Sequence, residues 1–527
     1  MKREVKDYLG VGLLTGVMLV VRLGLAYQGY FNFSWDFGRD MLWVRQITEL
    51  NRPMLVGAWG SLAGTFFGPG YFYLLAIPYW LSGGDPRAAV YMVTILVTVM
   101  IPIGYYLGKR WFGARVGWWW AGLFAVMPIM TNLALYSFPQ QLIPLAGLGC
   151  LACLWEWKRQ PRPIIWLGTG LLASLWWHFE PVDTPMAYLL LVVWLGYLWR
   201  KQHLQFSVQS RAWLLMGLVI PLLPNLIYDV RHEWSQLRAL GQLATGADTS
   251  LGGGLAWYVR LIDRPINLVS MISRSVTAIT EPWLGGVIIG GLIASAVGFR
   301  SVISQALKRQ PGFKDFISLL ALAGGVTWIY FLIFPRLVKD YYLYLIPVLV
   351  GLFLGVFFEL GWRSRQFRVI IFCLVAVMVM AQAGDISQIL REANGQEYRS
   401  QVKAVRWIYA QAAGQPLAVY TYTPLIYDYP YQYLFWWVGK KEFNQLPVTY
   451  AYKPDQPEYV INKTGYDQMV PNRGQAGEAV IFLIMEPGDH AAYSRDYWRS
   501  LFPKEETQST SFPGGIEVKK LAQELDK

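Results

Sequence analysis

Charge, cysteine and histidine are what this chain has little of. Only 15% of its 527 residues are Asp, Glu, Lys or Arg, against about 25% in an ordinary soluble domain, which leaves too little charge to coat a water-facing surface of this size. Cys150, Cys153 and Cys373 are its only cysteines, so a disulfide scaffold is excluded. The 4 histidines make a thin supply for an imidazole-built metal centre. Neither internal repeats nor low-complexity stretches occur, and an aromatic content of 16% excludes disorder. What is abundant is apolar, at 54% of residues, and the class that remains is an α-helical polytopic membrane protein.

A hydrocarbon core of ~30 Å takes about 20 apolar residues per helix. Such runs occur at 8–27, 87–108, 114–132, 138–157, 164–180, 184–200, 211–229, 282–300, 316–335, 341–361 and 368–384, which predicts about eleven spans. The first run carries Arg22 and no small-residue cleavage site follows it, so it reads as an anchor. Basic residues gather at alternate turns: Lys2, Arg3 and Lys6; Lys109, Arg110 and Arg115; Lys158, Arg159 and Arg162; Lys201; Arg300, Lys308, Arg309 and Lys314; Arg363, Arg365 and Arg368. That bias marks the cytoplasmic side and puts loop 28–86, loop 230–281 and the tail from about 385 outside. The net charge of +12 is thereby explained as topology, and no nucleic-acid partner is expected. The tail is richer in Pro, Gly and charge. Its periodicity predicts an amphipathic helix over 396–413 and strands over Leu417–Tyr422 and Ala479–Met485. The expected division is a transmembrane domain over 1–384 and a small extracytoplasmic α/β domain over 385–527.

The first outer loop is built for more than anchoring. It reads NFSWDFGRD from Asn32 to Asp40, then a short helical stretch with Leu42, Ile47 and Leu50, then FFGPGYFYLLAIPYWLSGG from Phe66. The second stretch is too short to cross and too apolar for water. Interfacial helices explain it, with Trp43, Trp59, Tyr71, Tyr73 and Trp80 at headgroup depth. Asp36 and Asp40 stand i, i+4 and share a helical face, with Arg39 placed to hold one carboxylate ionised. A plain helix start, with Ser34 or Asp36 as cap, accounts for the same spacing.

Elsewhere, His178, Glu180 and Asp183 cluster where the fifth span ends, and an ionisable group there is costly without a partner. A polar turn capping two spans explains them as well. Cys150 and Cys153 have thiol-pair spacing but lie inside an apolar run, as small core residues do. GYYLGKR at Gly104–Arg110 is one residue short of a phosphate loop and lacks its hydroxyl. Asn32-Phe33-Ser34 and Asn462-Lys463-Thr464 are glycosylation sequons in form only, and Gly286 with Gly290 permits close helix packing.

The order of one span, an Asp-bearing outer loop, a Gly-Pro-aromatic stretch, many further spans and an outer tail resembles the type C glycosyltransferases. Within them it is similar to the protein O-mannosyltransferase and lipid A aminoarabinose transferase superfamily. The match rests on Asp36, Gly38, Arg39 and Asp40, then Gly68, Pro69, Gly70, Tyr71 and Tyr73. Weaker echoes are Pro139, His178, DVRHEW at Asp229–Trp234, and KDYYLYLIP at Lys339–Pro347. The resemblance implies an integral protein of a prokaryotic plasma membrane. It would transfer a sugar from a polyprenyl-phosphate donor to a glycan, lipid or protein acceptor at the outer face, usually with inversion. It implies Asp36 as general base with Asp40 second, and Arg39 and Arg231 as phosphate clamps with Arg336 and Lys339 in reserve; snorkelling to the interface is the competing account for the last three. Tyr71, His178, Glu180 and Tyr341 fall among the implied substrate contacts. Much of the superfamily has Asp-Glu where this chain has Asp36 and Phe37, and a charged residue before Pro-Pro where this chain has Phe67, Gly68, Pro69 and Gly70. The missing second carboxylate leaves a divalent metal open, with His178, Glu180 and His232 as candidate ligands. Two other classes compete: a secondary transporter or lipid flippase, which paired halves and midplane charges would mark, and a non-catalytic assembly protein, which would not need Asp36.

Overall fold

The computed structural model describes residues 2–60, 64–159, 162–202, 207–245, 254–392, 396–425, 427–453, 479–490 and 494–522; the sequon at Asn462 lies outside them. Helix α1 (Lys2–Tyr27) leads into two shorter helices, α2 (Trp35–Glu49) and α3 (Gly70–Ser82). Next, α4 (Pro86–Thr98) and α5 (Met100–Phe112) run on as one rod of 27 residues. Pro128 supplies no N–H to the preceding turn, so the chain breaks between α6 (Ala114–Val126) and α7 (Pro128–Ala134). With its amide turned so that the oxygen accepts from the Thr131 hydroxyl (3.0 Å), Gln382 donates to the carbonyls of Ala125 and Val126, at 3.2 and 2.9 Å. A 3₁₀ turn at Pro139–Leu142 opens α8 (Ile143–Arg159), followed by α9 (Pro163–Phe179) and α10 (Thr184–Arg200). The chain continues through α11 (Val208–Val219), α12 (Leu223–Arg231), α13 (Ser235–Thr245), α14 (Trp257–Thr277), α15 (Pro282–Gly298), α16 (Arg300–Arg309), α17 (Gly312–Ile333), α18 (Ile346–Gly361) and α19 (Arg365–Arg391).

Among the described residues six helices are long and apolar enough to cross a membrane, or seven if α14 and α15, bent by 79°, count as one span. The runs expected at 114–132, 138–157, 164–180 and 184–200 fall on helices of 13 to 17 residues. A helix of 17 residues spans about 26 Å, short of the full core. Two other expectations differ from what is found. Loop 230–281 contains α13 and α14, because Arg260, Asp263, Arg264 and Arg274 interrupt the apolar run of α14 while keeping helical spacing. And α2 does not lie open at an interface: Phe37, Met41, Leu42 and Val44 on it are buried.

Burial sorts the helices. In the span ending at Gly361, 83% of the apolar window is enclosed, against 22% for α1 and 17% for α19, so the latter two turn most of their apolar surface toward lipid. Arg22 is the exception on α1. It is fully buried and donates to the hydroxyls of Thr98 (3.1 Å) and Thr131 (3.3 Å), which ties α1 to α4 and α7.

Beyond α19, α20 (Tyr398–Ala412) and strand β1 (Leu417–Tyr422) fall where the periodicity predicts them, followed by α21 (Tyr429–Val438), β2 (Thr449–Ala451), β3 (Val480–Met485), β4 (Glu506–Phe512) and β5 (Ile516–Leu521). The sheet order is β2-β1-β3-β5-β4. β1 lies parallel to β2 and β3, whereas β5 runs antiparallel to β3 and β4. LAVYTY and VIFLIM are apolar on both faces, as central parallel strands require. One face meets Val402, Val405 and Ile408 of α20, and the other holds Trp498 and Phe502.

Glu486, at the end of β3, is buried and accepts hydrogen bonds from Tyr431 (3.0 Å) and Gln401 (3.2 Å). Burial pushes its pKa up from 4.5 to about 7. The folded state therefore keeps a proton that the unfolded chain releases, so stability is fullest below the unfolded value and declines as pH rises toward 7. Glu486→Gln, which keeps the neutral hydrogen-bonding shape, is expected to stabilise the domain at pH 8 by roughly 1–3 kcal/mol and to change little at pH 4. Thermal unfolding of both proteins across that range measures it.

Candidate active site

The first turn of α2 puts Asp36, Arg39 and Asp40 on one face. Arg39 reaches Asp36 Oδ1 through Nη1 at 2.9 Å and Asp40 Oδ1 through Nε and Nη2 at 3.0 and 2.8 Å, with its guanidinium 5.5 Å from the Trp35 ring. The side chains differ in access: 21% of Asp36 is exposed, against 3% of Arg39 and none of Asp40. Two carboxylates share one cation in a dry setting, so the group resists carrying its full charge. Burial, opposed by Arg39 and aided by Asp36, pushes Asp40 up to about 7. Asp36 is also raised by burial, against the pull of Arg39. Burial pulls Arg39 down, but its two carboxylates outweigh this and it stays cationic. Burial and the neighbouring Asp36 charge both favour the protonated form of Asp40, whereas at Asp36 Arg39 works against burial. Asp40, the second expected base, is instead sealed beneath Arg39, where it orients the guanidinium. Arg39, expected to clamp phosphate, has donors on both acids.

Beneath this face lies the Gly68-Pro69-Gly70 turn, wrapped on His178. The imidazole Nδ1 accepts the Gly70 N–H at 2.8 Å, and Nε2 meets the Pro221 carbonyl at 2.8 Å. A Cβ at Gly68 would stand 2.3 Å from the ring and one at Gly70 2.7 Å, so both positions exclude a side chain. Both ring nitrogens of His178 are thus engaged, and it holds the turn rather than an ion. Tyr71 is fully buried with its hydroxyl on Ser137 (2.8 Å), a wall residue and not an open contact at headgroup depth. Glu180 is buried and accepts from Gln140 Nε2 (2.6 Å) and the Val182 N–H (3.2 Å). Among the described residues no three His, Cys, Asp or Glu side chains converge where a metal could sit.

A cavity of about 650 Å³ opens beside the start of α2, lined by Asn32 and Ser34, the α7 end with Asn132 and Tyr136, Gln141, Arg274, Asp340, Tyr344 and Asp385. Ser34 bonds the Tyr136 hydroxyl and leaves the helix cap unfilled. Burial, with the nearby Asp36 and Asp40 carboxylates, pushes the Tyr136 hydroxyl above its ordinary range. Arg274, the cation of the lining, contacts Asp340 at 3.0 Å.

The remaining expected residues stand apart from this wall. Arg231 is exposed at the end of α12. Asp229, a conceivable staple for it, accepts the Gln236 and Leu237 N–H groups and caps α13. His232 stacks on Tyr228 at 3.9 Å with Nδ1 on the Tyr228 carbonyl. Lys339 is exposed, the Arg336 carbonyl accepts from Arg264, and Tyr341 packs edge-on against Phe138 (5.9 Å) and Tyr342 (4.7 Å). The cavity takes Tyr344 from the same KDYYLYLIP run. Arg274 was hidden because the helix carrying it reads as a polar loop.

The sequence matches no family model, and no curated protein sequence matches it. Solved structures do match. ArnT from Cupriavidus metallidurans bound to undecaprenyl phosphate aligns over 98% of this chain and 99% of its own, with a TM-score of 0.58 and 15% identity. The apo state of that protein gives a TM-score of 0.58 at 14% identity, covering 98% of each chain. An oligosaccharyltransferase from Archaeoglobus fulgidus aligns at a TM-score of 0.44 with 12% identity, over 90% of this chain and 67% of its own. The polytopic helical fold with its small sheet is therefore the fold of ArnT, shared at low identity.

Removing the imidazole strands one buried N–H and one carbonyl. His178→Ala is expected to cost about 1–3 kcal/mol, read as a lowered melting temperature of the purified protein.

Proposed function

We propose that this chain is a type C membrane glycosyltransferase that moves a monosaccharide from a polyprenyl-phosphate donor to an acceptor hydroxyl, with Asp36 as general base. The observation that carries the reading is the pairing of access and charge at α2. Of two carboxylates on one buried arginine, one is partly exposed and stands two residues from Ser34, which lines a polar cavity, in a fold shared with a protein that binds undecaprenyl phosphate. The acceptor oxygen attacks the anomeric carbon as its proton passes to the Asp36 carboxylate. The bond from that carbon to the phosphate oxygen breaks, and the electron pair leaves on the lipid phosphate. Phosphate is already a good leaving group, so the protein supplies a base and a cation at the departing oxygens. Arg274 is the cavity residue suited to the second task.

The reading includes orientation. The basic turns face the cytoplasm, and α2, the cavity and the domain after α19 face outward. About eleven membrane segments are then retained, the shorter helices completing the bundle. Cysteines at Ser509 and Gln310, both exposed, test this in a background lacking the natural thiols. A membrane-impermeant reagent is expected to label Ser509→Cys in intact cells and Gln310→Cys only after lysis. The reverse pattern removes the orientation.

Transfer of radiolabelled sugar from a polyprenyl-phosphate donor, with membrane extract as acceptor source, tests the chemistry. Asp36→Asn is expected to lower turnover by about 10²–10⁴ in a protein that still folds. Asp40→Asn fixes the uncharged state that burial favours at Asp40, so the acid limb of the kcat/KM profile is expected to stay in place, and a change near pH 7 that follows Asp40 ionisation is expected to disappear. An Asp36→Asn enzyme with normal turnover excludes Asp36 as the base.

A further inference from the structure

Gly38 stands between Asp36 and Arg39 in the first turn of α2, where glycine costs about 1 kcal/mol against alanine. Its backbone is in the ordinary helical region, so no special dihedral calls for it. The reason lies across the interface with the chain beyond α19. A Cβ on Gly38 would sit 2.5 Å from the Pro430 nitrogen, 2.7 Å from Pro430 Cα and 2.7 Å from the Tyr429 carbonyl carbon. All three are backbone atoms and cannot rotate away. Every residue of α21, from Tyr429 to Val438, is buried. Further along α2, Arg45 stacks on Trp436 at 4.7 Å and Glu49 pairs with Lys440 at 3.0 Å. Just before α2, the Phe33 N–H donates to the Gln396 carbonyl at 2.8 Å and the Tyr398 N–H to the Phe31 carbonyl at 3.0 Å.

We infer that the C-terminal domain is the seat of the active-site helix, and that Gly38 is a positioning residue that sets where Asp36 and Arg39 stand relative to the cavity. The catalytic half of this rests on the transferase reading; the seat itself does not. A methyl group at Gly38 must open the contact by about 1 Å to reach ordinary van der Waals distance. A helix moves as a rigid rod, so the displacement is handed to the neighbouring acid and guanidinium, and about 1 Å at a reacting centre costs on the order of 10² in rate.

The experiment compares full-length Gly38→Ala with wild type and with Gly122→Ala, whose added methyl meets open space. The readouts are kcat, donor KM, the pH profile and hydrogen exchange of α2. Gly38→Ala is expected to lower kcat about 10²-fold with donor KM little changed, to shift the acid limb as the Asp36 to Arg39 pairing changes, and to speed exchange in α2. Gly122→Ala is expected to match wild type. A folded Gly38→Ala with wild-type kcat and pH profile overturns the positioning role. Should Gly38→Ala fail to fold, Trp436→Leu with Lys440→Met loosens the far end of the same seat. That pair is expected to lower kcat and speed α2 exchange, and unchanged values in both overturn the proposal. If wild type transfers no sugar while Gly38→Ala still exchanges faster in α2, the transferase reading fails and the seat stands.

Discussion

A guanidinium held between two carboxylates in a nearly dry setting is the constraint around which this molecule is arranged. Isolated, any one of the three groups would cost several kcal/mol to bury, and together they still carry one negative charge too many. Environment resolves the excess by giving two chemically identical side chains different fates. Asp40, with no exposed surface, becomes the site that takes the proton. Asp36, with 21% of its side chain exposed, is the acid that an arriving group can reach. The arrangement is the general one by which neighbouring acids acquire separate roles.

Holding such a cluster in register takes rigid neighbours. The Gly68-Pro69-Gly70 turn is clamped on His178 from one side, with Tyr71 anchored on Ser137. Bare backbone at Gly38 meets Tyr429 and Pro430 from the other. These contacts leave no room for side-chain adjustment, so α2 is defined by backbone-scale contacts rather than by the long side chains at its end. Arg22 does comparable work within the helices, where its donors to Thr98 and Thr131 join α1 to α4 and α7.

The sequence made much of this readable and hid the rest for identifiable reasons. Apolar periodicity located α1, α17, α18 and α19, and the two central strands, because length and composition decide such elements locally. The i, i+3, i+4 spacing of Asp36, Arg39 and Asp40 put them together on a helix, yet spacing cannot say which acid faces water. That depends on groups distant in the sequence, Tyr71 and Tyr136, which stand near Asp40. His178 showed as an ionisable group at a helix end, but its two partners, Gly70 and Pro221, are backbone atoms that no side-chain pattern reveals. Arg231 looked well placed for a phosphate because it follows a span. Arg274 lines the cavity and has no mark in the sequence, since α14 alternates charge with apolar residues and so fails a hydropathy test while satisfying a helical one.

The cavity has its own mark in the sequence, and it is not a charge. From Met127 to Gln141 the chain abandons continuous helix three times: at Pro128, at the turn Leu135–Phe138, and in the 3₁₀ turn that begins with Pro139. Asn132, Leu135, Tyr136 and Gln141 from that stretch all line the cavity. Freed backbone groups among apolar helices need partners or water. Here Gln382 answers Ala125 and Val126, and the rest of the irregular segment borders open volume. Two prolines in apolar runs therefore mark where the bundle ceases to be solid, and Pro128 accounts for the shortness of α6 and α7. The interruption that spoils a count of spans is the same feature that borders the cavity.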